Sequence, residues 1–441
     1  MRYLCAMHKE ILRLAIPNIL TNLTVPLLGA VDTALMGHLE APGYLAALGV
    51  GVAVFNFVYW GFGFLRMSTT GFMAQAFGQK DTPSMSGILF RGLLLAGLIG
   101  VILILAQDAI WAFGLWVVQP EPHVAQLAGE YFAIRIWAAP ANLMLMVLLG
   151  WLLGAQNAVY PLLISLAGNV INIALSVYLV TVEGYTIAGV AMGTLIAQYA
   201  GLGIAVLFLL FRYQAYLKWP GWKRIMDRER LRAFVVVNRD IFLRTLCLMF
   251  VFTFMTAQSA RYGTEILALN TVLLQLISII SYGIDGFAFA SESLTGKYLG
   301  RGAAKPLRTM VRYLFGWGFG LALVFSLAFL LFREPIMRLF TDHAPILELA
   351  KTYAFWVILA PLVNNFAYLW DGIYIGATAS VPMRNSMFIA TLLVFLPVFL
   401  LANLYFDNHA LWLAFTLFMV ARGAVLWAWA NRYLFHPLRA S

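Results

Sequence analysis

Asp32 stands among apolar residues, where a carboxylate is suited to exchanging a proton or binding a cation. Asn18, Asn22, Val25, Gly29 and Asp32 follow one another at spacings of 4, 3, 4 and 3, which places them on one face of a helix. Pro17 lies about fifteen residues before Asp32 and opens a gap in the backbone hydrogen bonding, so it is the expected hinge of that helix. Further on, Asn169, Asn172 and Ser176 form a similar stripe, and Thr194 and Gln198 stand at i, i+4. Together with Asn22 and Asp32 they predict an interior polar pocket; the plainer alternative is a set of ordinary interhelical hydrogen bonds. The second half carries Ser278, Tyr282, Asp285 and Glu292 on one helix face, and Asp371 in another apolar stretch. Asp285 and Glu292 are two turns apart, roughly 10 Å, too far to share a proton. Asp285 and Asp371 either take part in binding or hold the eighth and tenth helices together. Glu292 is also readable as a residue of the cytoplasmic boundary, and Arg66, Arg135 and Arg422 stand nearer to helix ends.

The elements that must position these residues are membrane spans. Charged residues are 11% and apolar ones 62%, with a mean hydropathy of +0.85, whereas soluble chains carry about 25% charged residues. Twelve apolar stretches are long enough to cross a bilayer: 11–36, 45–67, 88–112, 128–154, 160–181, 187–211, 241–260, 266–290, 311–332, 350–376, 385–405 and 410–431. The first has no small-residue cleavage pattern and does not read as a signal peptide. The second six echo the first at an offset of about 222 residues: Leu45-Ala46 falls on Leu267-Ala268, Gly61 on Gly283, Gly78 on Gly300, Tyr131 on Tyr353, and Gly154-Ala155 on Gly376-Ala377. Two such halves are the usual build of a secondary transporter. The expected organisation is an all-α integral-membrane fold, with one six-helix lobe over 1–212, a basic loop over 213–240 and a second six-helix lobe over 241–441.

The formal charge of +10 does not point to nucleic acid, because the basic residues collect on one side. They fall near the termini, in 212–232, in 297–312 and at Arg384 and Arg432, opposite loops holding Glu40, Glu121, Glu183, Glu265, Asp342, Glu348 and Asp407. Lys and Arg are enriched in cytoplasmic loops, so both termini and the central loop are expected in the cytoplasm of a multi-pass protein of the inner (cytoplasmic) membrane. Cys5 and Cys247 make no disulfide framework. The six histidines (8, 38, 123, 343, 409 and 436) show no metal-ligand spacing. No phosphate-binding, dinucleotide or nucleophile motif appears in a fitting context. The charges within the spans read as mostly acidic.

Several stretches resemble the multidrug and toxic compound extrusion (MATE) family, and in particular its DNA-damage-inducible (DinF) branch. They are VDTALMGHL at 31–39, STTGFMAQAFG at 68–78, GWLLGAQNAVYP at 150–161, VNRDIFLRTL at 237–246, YGIDGFAFASESLTG at 282–296 and LWDGIYIGATASVPMRNSM at 369–387. The resemblance implies a V-shaped transporter of twelve helices in two pseudo-symmetric lobes, exporting amphipathic, often cationic compounds against inward H+ or Na+. In that family an aspartate of the first helix binds the coupling ion and the helix bends near a proline; Asp32 and Pro17 match. Relatives also use an asparagine and an aspartate one turn apart on the fifth helix and a threonine on the sixth. Asn172 and Thr194 match, but Ser176 stands where many relatives have the aspartate. Asp371 resembles the tenth-helix aspartate of Na+-coupled relatives, whose seventh-helix glutamate has no match in RTLCLMFVFTFMTAQSA. Both departures point to H+ rather than Na+.

The expectation is therefore an H+-coupled antiporter, a monomer in the lipid bilayer, with small amphipathic organic substrates and no cofactor or resident metal. A lipid-linked saccharide flippase is the alternative; an organic-anion exporter is another and would need Arg66 or Arg135 to meet the anion. An integral-membrane enzyme would need a convergent catalytic set that the scattered histidines do not supply.

Overall fold

The computed structural model describes residues 2–39 and 43–435. Among them are twelve helices long and apolar enough to cross a membrane: α1 (Ala6–Gly37), α2 (Gly43–Gln79), α3 (Thr82–Leu105), α4 (Pro122–Gly154), α5 (Val159–Thr181), α6 (Ile187–Arg212), α7 (Arg228–Arg261), α8 (Thr264–Gly300), α9 (Ala304–Leu331), α10 (Ala344–Gly376), α11 (Ser380–Ala402) and α12 (Asp407–Phe435). In hydrocarbon each backbone N–H and C=O must find its partner within the chain, and the helix is the element by which these apolar segments do so. Glu40 and the residues beyond Phe435 lie outside the described residues, as do the side chains of Arg2 and Cys5. Cys247 is buried with a free thiol.

Two expected boundaries shift. The basic segment 213–240 is not all loop, because α7 begins at Arg228. Asp227 caps it, its Oδ1 accepting the backbone N–H of Arg230 at 3.0 Å. The predicted span 88–112 is two elements, α3 and a separate helix over Gln107–Val118. Irregular turns mark two other helices: a 3-10 turn at Ile136–Ala138, just ahead of Pro140 in α4, and a π segment at Ile389–Phe395 within α11.

The chain falls into two compact units. One is Leu20–Phe234; the other joins residues from Val235 onward to α1 as far as Ile19. This differs from a cut between lobes at 212 and 241, since the start of α1 goes with the second half. Its attachments explain why. Lys297 Nζ donates to Glu10 Oε1 at 2.8 Å, Tyr298 Oη donates to Glu10 Oε2 at 2.5 Å, and Trp317 Nε1 donates to His8 Nδ1 at 3.0 Å. Gly286 lies so close to α1 that a Cβ there would sit 2.9 Å from the Ala15 carbonyl oxygen. α1 itself is continuous across Pro17 and Pro26.

Each unit has its own core. In the first, Trp151, Leu152, Leu148, Met73 and Ile164 pack together, and Trp151 Nε1 donates to the Met85 carbonyl at 3.0 Å. In the second, Val251, Met255, Leu269, Ile284, Phe395 and Phe415 do the same.

The repeat is visible in the packing. In the first unit α4 lies on α2 through Gly150 and Gly154; a Cβ at these positions would come within 2.5 Å of the Arg66 carbonyl oxygen and 2.8 Å of that of Thr70. In the second unit α10 lies on α8 through Gly372 and Gly376, which meet the carbonyl oxygens of Ala288 and Glu292 in the same way. All four pairs of residues are related by the repeat offset. Small residues spaced by four are the usual means of bringing membrane helices into backbone contact. Gly150→Ala and Gly372→Ala are each expected to lower stability by about 1–3 kcal/mol, read as a lower unfolding temperature in detergent. Gly203→Ala and Gly320→Ala, where nothing stands within 4 Å, are expected to leave it unchanged.

Candidate functional site

Among the described residues Asp32 is the buried carboxylate of the first unit, at 9% exposure. Its Oδ1 has no hydrogen-bond partner. The charge that acts on it is Arg135, on α4, and Tyr131 is an electrostatic neighbour of both. Arg135 Nη1 donates to Tyr131 Oη at 2.5 Å, and its guanidinium lies 4.7 Å from the Phe55 ring centroid and 5.4 Å from that of Tyr131. Phe55 also stacks on Phe132 at 5.1 Å. The arginine whose charge acts on Asp32 is thus held in an aromatic bracket, where cation–π attraction fixes the guanidinium. An apolar cavity of about 480 Å³ opens near the Gly37 end of α1, lined by Val31, Leu35, His38 and Val180 among others.

The residues expected to share a pocket with Asp32 form a separate cluster. Asn172 Nδ2 donates to Thr194 Oγ1 at 3.1 Å, Ser176 Oγ donates to Asn172 Oδ1 at 3.3 Å, and Thr194 Oγ1 donates to the Val190 carbonyl at 3.0 Å. Gly193 permits this by bringing α6 against Ser176, whose Oγ would be 2.5 Å from a Cβ there. These polar atoms satisfy one another across α5 and α6. Asn22 and Asn169 are half-buried, and the buried Gln198 Oε1 has no hydrogen bond. Asn18 belongs to the second unit and bonds back to the Leu14 carbonyl at 2.8 Å.

The second unit holds a larger buried charge network. Asp371 on α10 is 4% exposed and its Oδ2 accepts from both Arg244 Nη2 on α7 and Arg422 Nη2 on α12. Asp285 acts electrostatically on both arginines, and Glu292 on Arg244. The Arg422 guanidinium lies 5.7 Å from the Tyr368 ring centroid, and Tyr368 Oη and Ser281 Oγ are 3.0 Å apart. Tyr282 neighbours Asp285; Ser278 bonds only along its own helix, to the Leu274 carbonyl at 3.0 Å. Within α7, the buried Asp240 accepts from Arg384 Nη1 and Ser380 Oγ, both at 2.9 Å.

Two expectations change here, and one residue gains a context. Asp371 ties α10 to α7 and α12 rather than to α8. Glu292 is buried at 1% exposure and acts electrostatically on Arg244, so it belongs to the network as well as to the inner end of α8. The buried charges are not mostly acidic, since Arg91, Arg244, Lys297 and Arg422 stand beside Asp32, Asp240, Glu292 and Asp371. Sequence reasoning missed Arg135 as the charge acting on Asp32, and Arg244 and Arg422 as partners of Asp371. The available signal was the cost of an unpaired charge in hydrocarbon: each arginine within a span needs an acid, and Asp32 and Asp371 were already in view.

Twelve spans, repeated packing and buried ion pairs define a transporter of two related halves. The comparisons make this specific. The MatE family model matches residues 17–178 and 241–400. The chain is 39% identical to the DNA damage-inducible protein F of Escherichia coli over 98% of this chain and 95% of that one. It is 29% identical to Protein DETOXIFICATION 44, chloroplastic, of Arabidopsis thaliana over 95% and 81% respectively. The fold matches that of the Vibrio cholerae MATE transporter VcmN in the bent form, with TM-score 0.88 and 17% identity over 100% and 99% of the two chains. The chain belongs to the MatE family: it is a multidrug and toxin extrusion transporter and not an enzyme.

Removing the shared acid of the second network leaves two buried guanidinium groups short of a counter-charge. Breaking a buried pair in this way costs about 3–5 kcal/mol. Asp371→Asn is thus expected to unfold at a clearly lower temperature in a detergent thermal-shift measurement. An unchanged midpoint would show that the network does not hold α7, α10 and α12 together.

Proposed function

We propose that the chain is an inner-membrane antiporter exporting amphipathic, often cationic organic compounds in exchange for protons, with Asp32 as the coupling carboxylate. The observation that carries this is a buried carboxylate with an open oxygen, on which the charge of Arg135 acts. With Asp32 ionised the pair is neutral; with Asp32 protonated it carries a net charge of +1. That change repels a bound cation. Unit charges about 4 Å apart interact by about 4 kcal/mol at an effective dielectric of about 20, roughly three decades of affinity. One proton is therefore enough to discharge a cationic substrate.

Proton coupling is favoured over Na+ by the ligand supply. A hard cation takes a shell of several oxygens, but the oxygens of Asn172, Ser176 and Thr194 are engaged with each other or with backbone, and Asp371 is engaged by two arginines. In the cycle, protonation of Asp32 is accompanied by bending of α1 near Pro17, which has no backbone N–H to offer. Substrate leaves on one side, and the proton leaves after the site turns to the other. Exchange of one proton for one monovalent cation is electroneutral and draws on the pH gradient alone.

A second reading, export of amphipathic organic anions, is favoured by one observation: the charge of Arg135 acts at Asp32. Protonation would then strengthen substrate binding instead of weakening it.

In proteoliposomes with an imposed pH gradient, Asp32→Asn is expected to insert and fold but to lose proton-driven export, and Pro17→Ala to reduce it. Cation binding by the wild type is expected to weaken as pH falls, whereas Asp32→Asn shows little pH dependence. Retained gradient-driven export by Asp32→Asn would move the coupling proton to another group. Anionic dyes exported in place of cationic ones would establish the second reading.

The basic segments support a cytoplasmic location for both termini and the 213–227 linker. In a background lacking Cys5 and Cys247, an impermeant thiol reagent applied to intact cells is expected to label Glu121→Cys and Asp342→Cys and to spare Lys223→Cys. These three positions are exposed. The opposite labelling pattern would invert the topology.

A further inference from the structure

A groove of about 480 Å³ runs along the second unit between α9, α10 and α12, apart from both charge sites. We infer that it is a binding site for an acidic phospholipid, with the phosphate at Arg308 and Arg312 and an acyl chain along the aromatic floor. The volume falls within the roughly 300–1,000 Å³ of small-molecule sites.

The order of residues along α9 carries the inference. Arg308, Arg312, Phe315 and Phe319 follow at spacings of 4, 3 and 4 on one face, and all four line the groove. Charge comes first and aromatic surface after it, over about 16 Å of helix, close to one leaflet of an apolar core about 30 Å thick. Opposite them stand Phe366, Trp370, Trp427 and Asn431, so an amide is available at the charged end and rings along the apolar end. Among the described residues no carboxylate lines the groove. Both arginines are exposed, and Arg308 is steadied 4.9 Å from the Phe435 ring centroid. Trp427 is 63% exposed, a face suited to lipid. A free phosphate would use the arginines and leave the aromatic surface unfilled; a neutral lipid would leave two cations unmet. Basic pockets between membrane helices are recognised sites for acidic headgroups.

Trp427 supplies the reporter. The full-length protein is placed in bilayers of phosphatidylcholine to which lipid with brominated acyl chains is added, carrying either a phosphatidylglycerol or a phosphatidylcholine headgroup. Subtracting the Trp427→Phe variant isolates the quenching of Trp427. Brominated phosphatidylglycerol is expected to quench it at a much lower mole fraction than brominated phosphatidylcholine. In Arg308→Gln/Arg312→Gln that preference is expected to fall roughly thirtyfold, and in Arg308→Lys/Arg312→Lys to be largely kept. Arg301→Gln/Lys305→Gln removes the same charge from exposed positions outside the groove and is expected to keep the preference, which distinguishes a site from a diffuse basic surface. Equal quenching by the two headgroups in the wild type overturns the inference, as does equal loss of preference in the control pair.

Discussion

A charge in hydrocarbon costs about 3 kcal/mol or more unless it is met, and this constraint organises the interior. Asp371 is met by Arg244 and Arg422, Asp240 by Arg384, and Glu10 by Lys297, whereas Asp32 has only the more distant charge of Arg135. Each pairing joins segments far apart in the chain, so the ion pairs tie helices together as much as they serve any ligand. Asp32 differs from the others in kind. Its counter-charge is occupied with Tyr131 and two aromatic faces, and one carboxylate oxygen has no hydrogen bond. Among the described residues Asp371 is tied to two helices by ion pairs; Asp32 is tied to none.

The two halves keep a common backbone and divide the chemistry. Gly150 and Gly154 meet α2 as Gly372 and Gly376 meet α8, at equivalent carbonyls. The charged residues do not follow. At the repeat offset Asp32 falls on Phe254, Arg135 on Val357, Asp371 on Leu149 and Arg422 on Ala200. Backbone contact between helices admits little besides glycine, whereas an ion pair can be placed wherever two facing positions allow it. The packing is therefore symmetric and the electrostatics are not.

What was legible in the sequence follows the same division. Hydropathy and the glycine register show the spans and the repeat, because both are properties of one stretch of chain. Asp32 and Asp371 are legible because a lone acid in an apolar run is conspicuous. Their partners are not, since Arg135 is about a hundred residues from Asp32 and Arg244 more than a hundred from Asp371, and helical periodicity carries no information across such gaps. Asn172, Ser176 and Thr194 share a cluster as their types suggest, but their bonds close on each other and not on Asp32. Residues 228–240 read as loop because charge was weighed above the capping signal of Asp227.

The chain passes between its two compact units at Ile19–Leu20 and again at Phe234–Val235, and both crossings lie inside helices, α1 and α7. A crossing made in a loop is slack, and the bodies it joins drift at little cost. A helix is stiff, so displacement at these points is taken up as bending of a hydrogen-bonded rod and returned elastically. The two rods are not equally stiff. Pro17 removes one hydrogen bond immediately before the first crossing, while no proline interrupts α7. Local compliance is thus greater in α1 at its crossing than in α7.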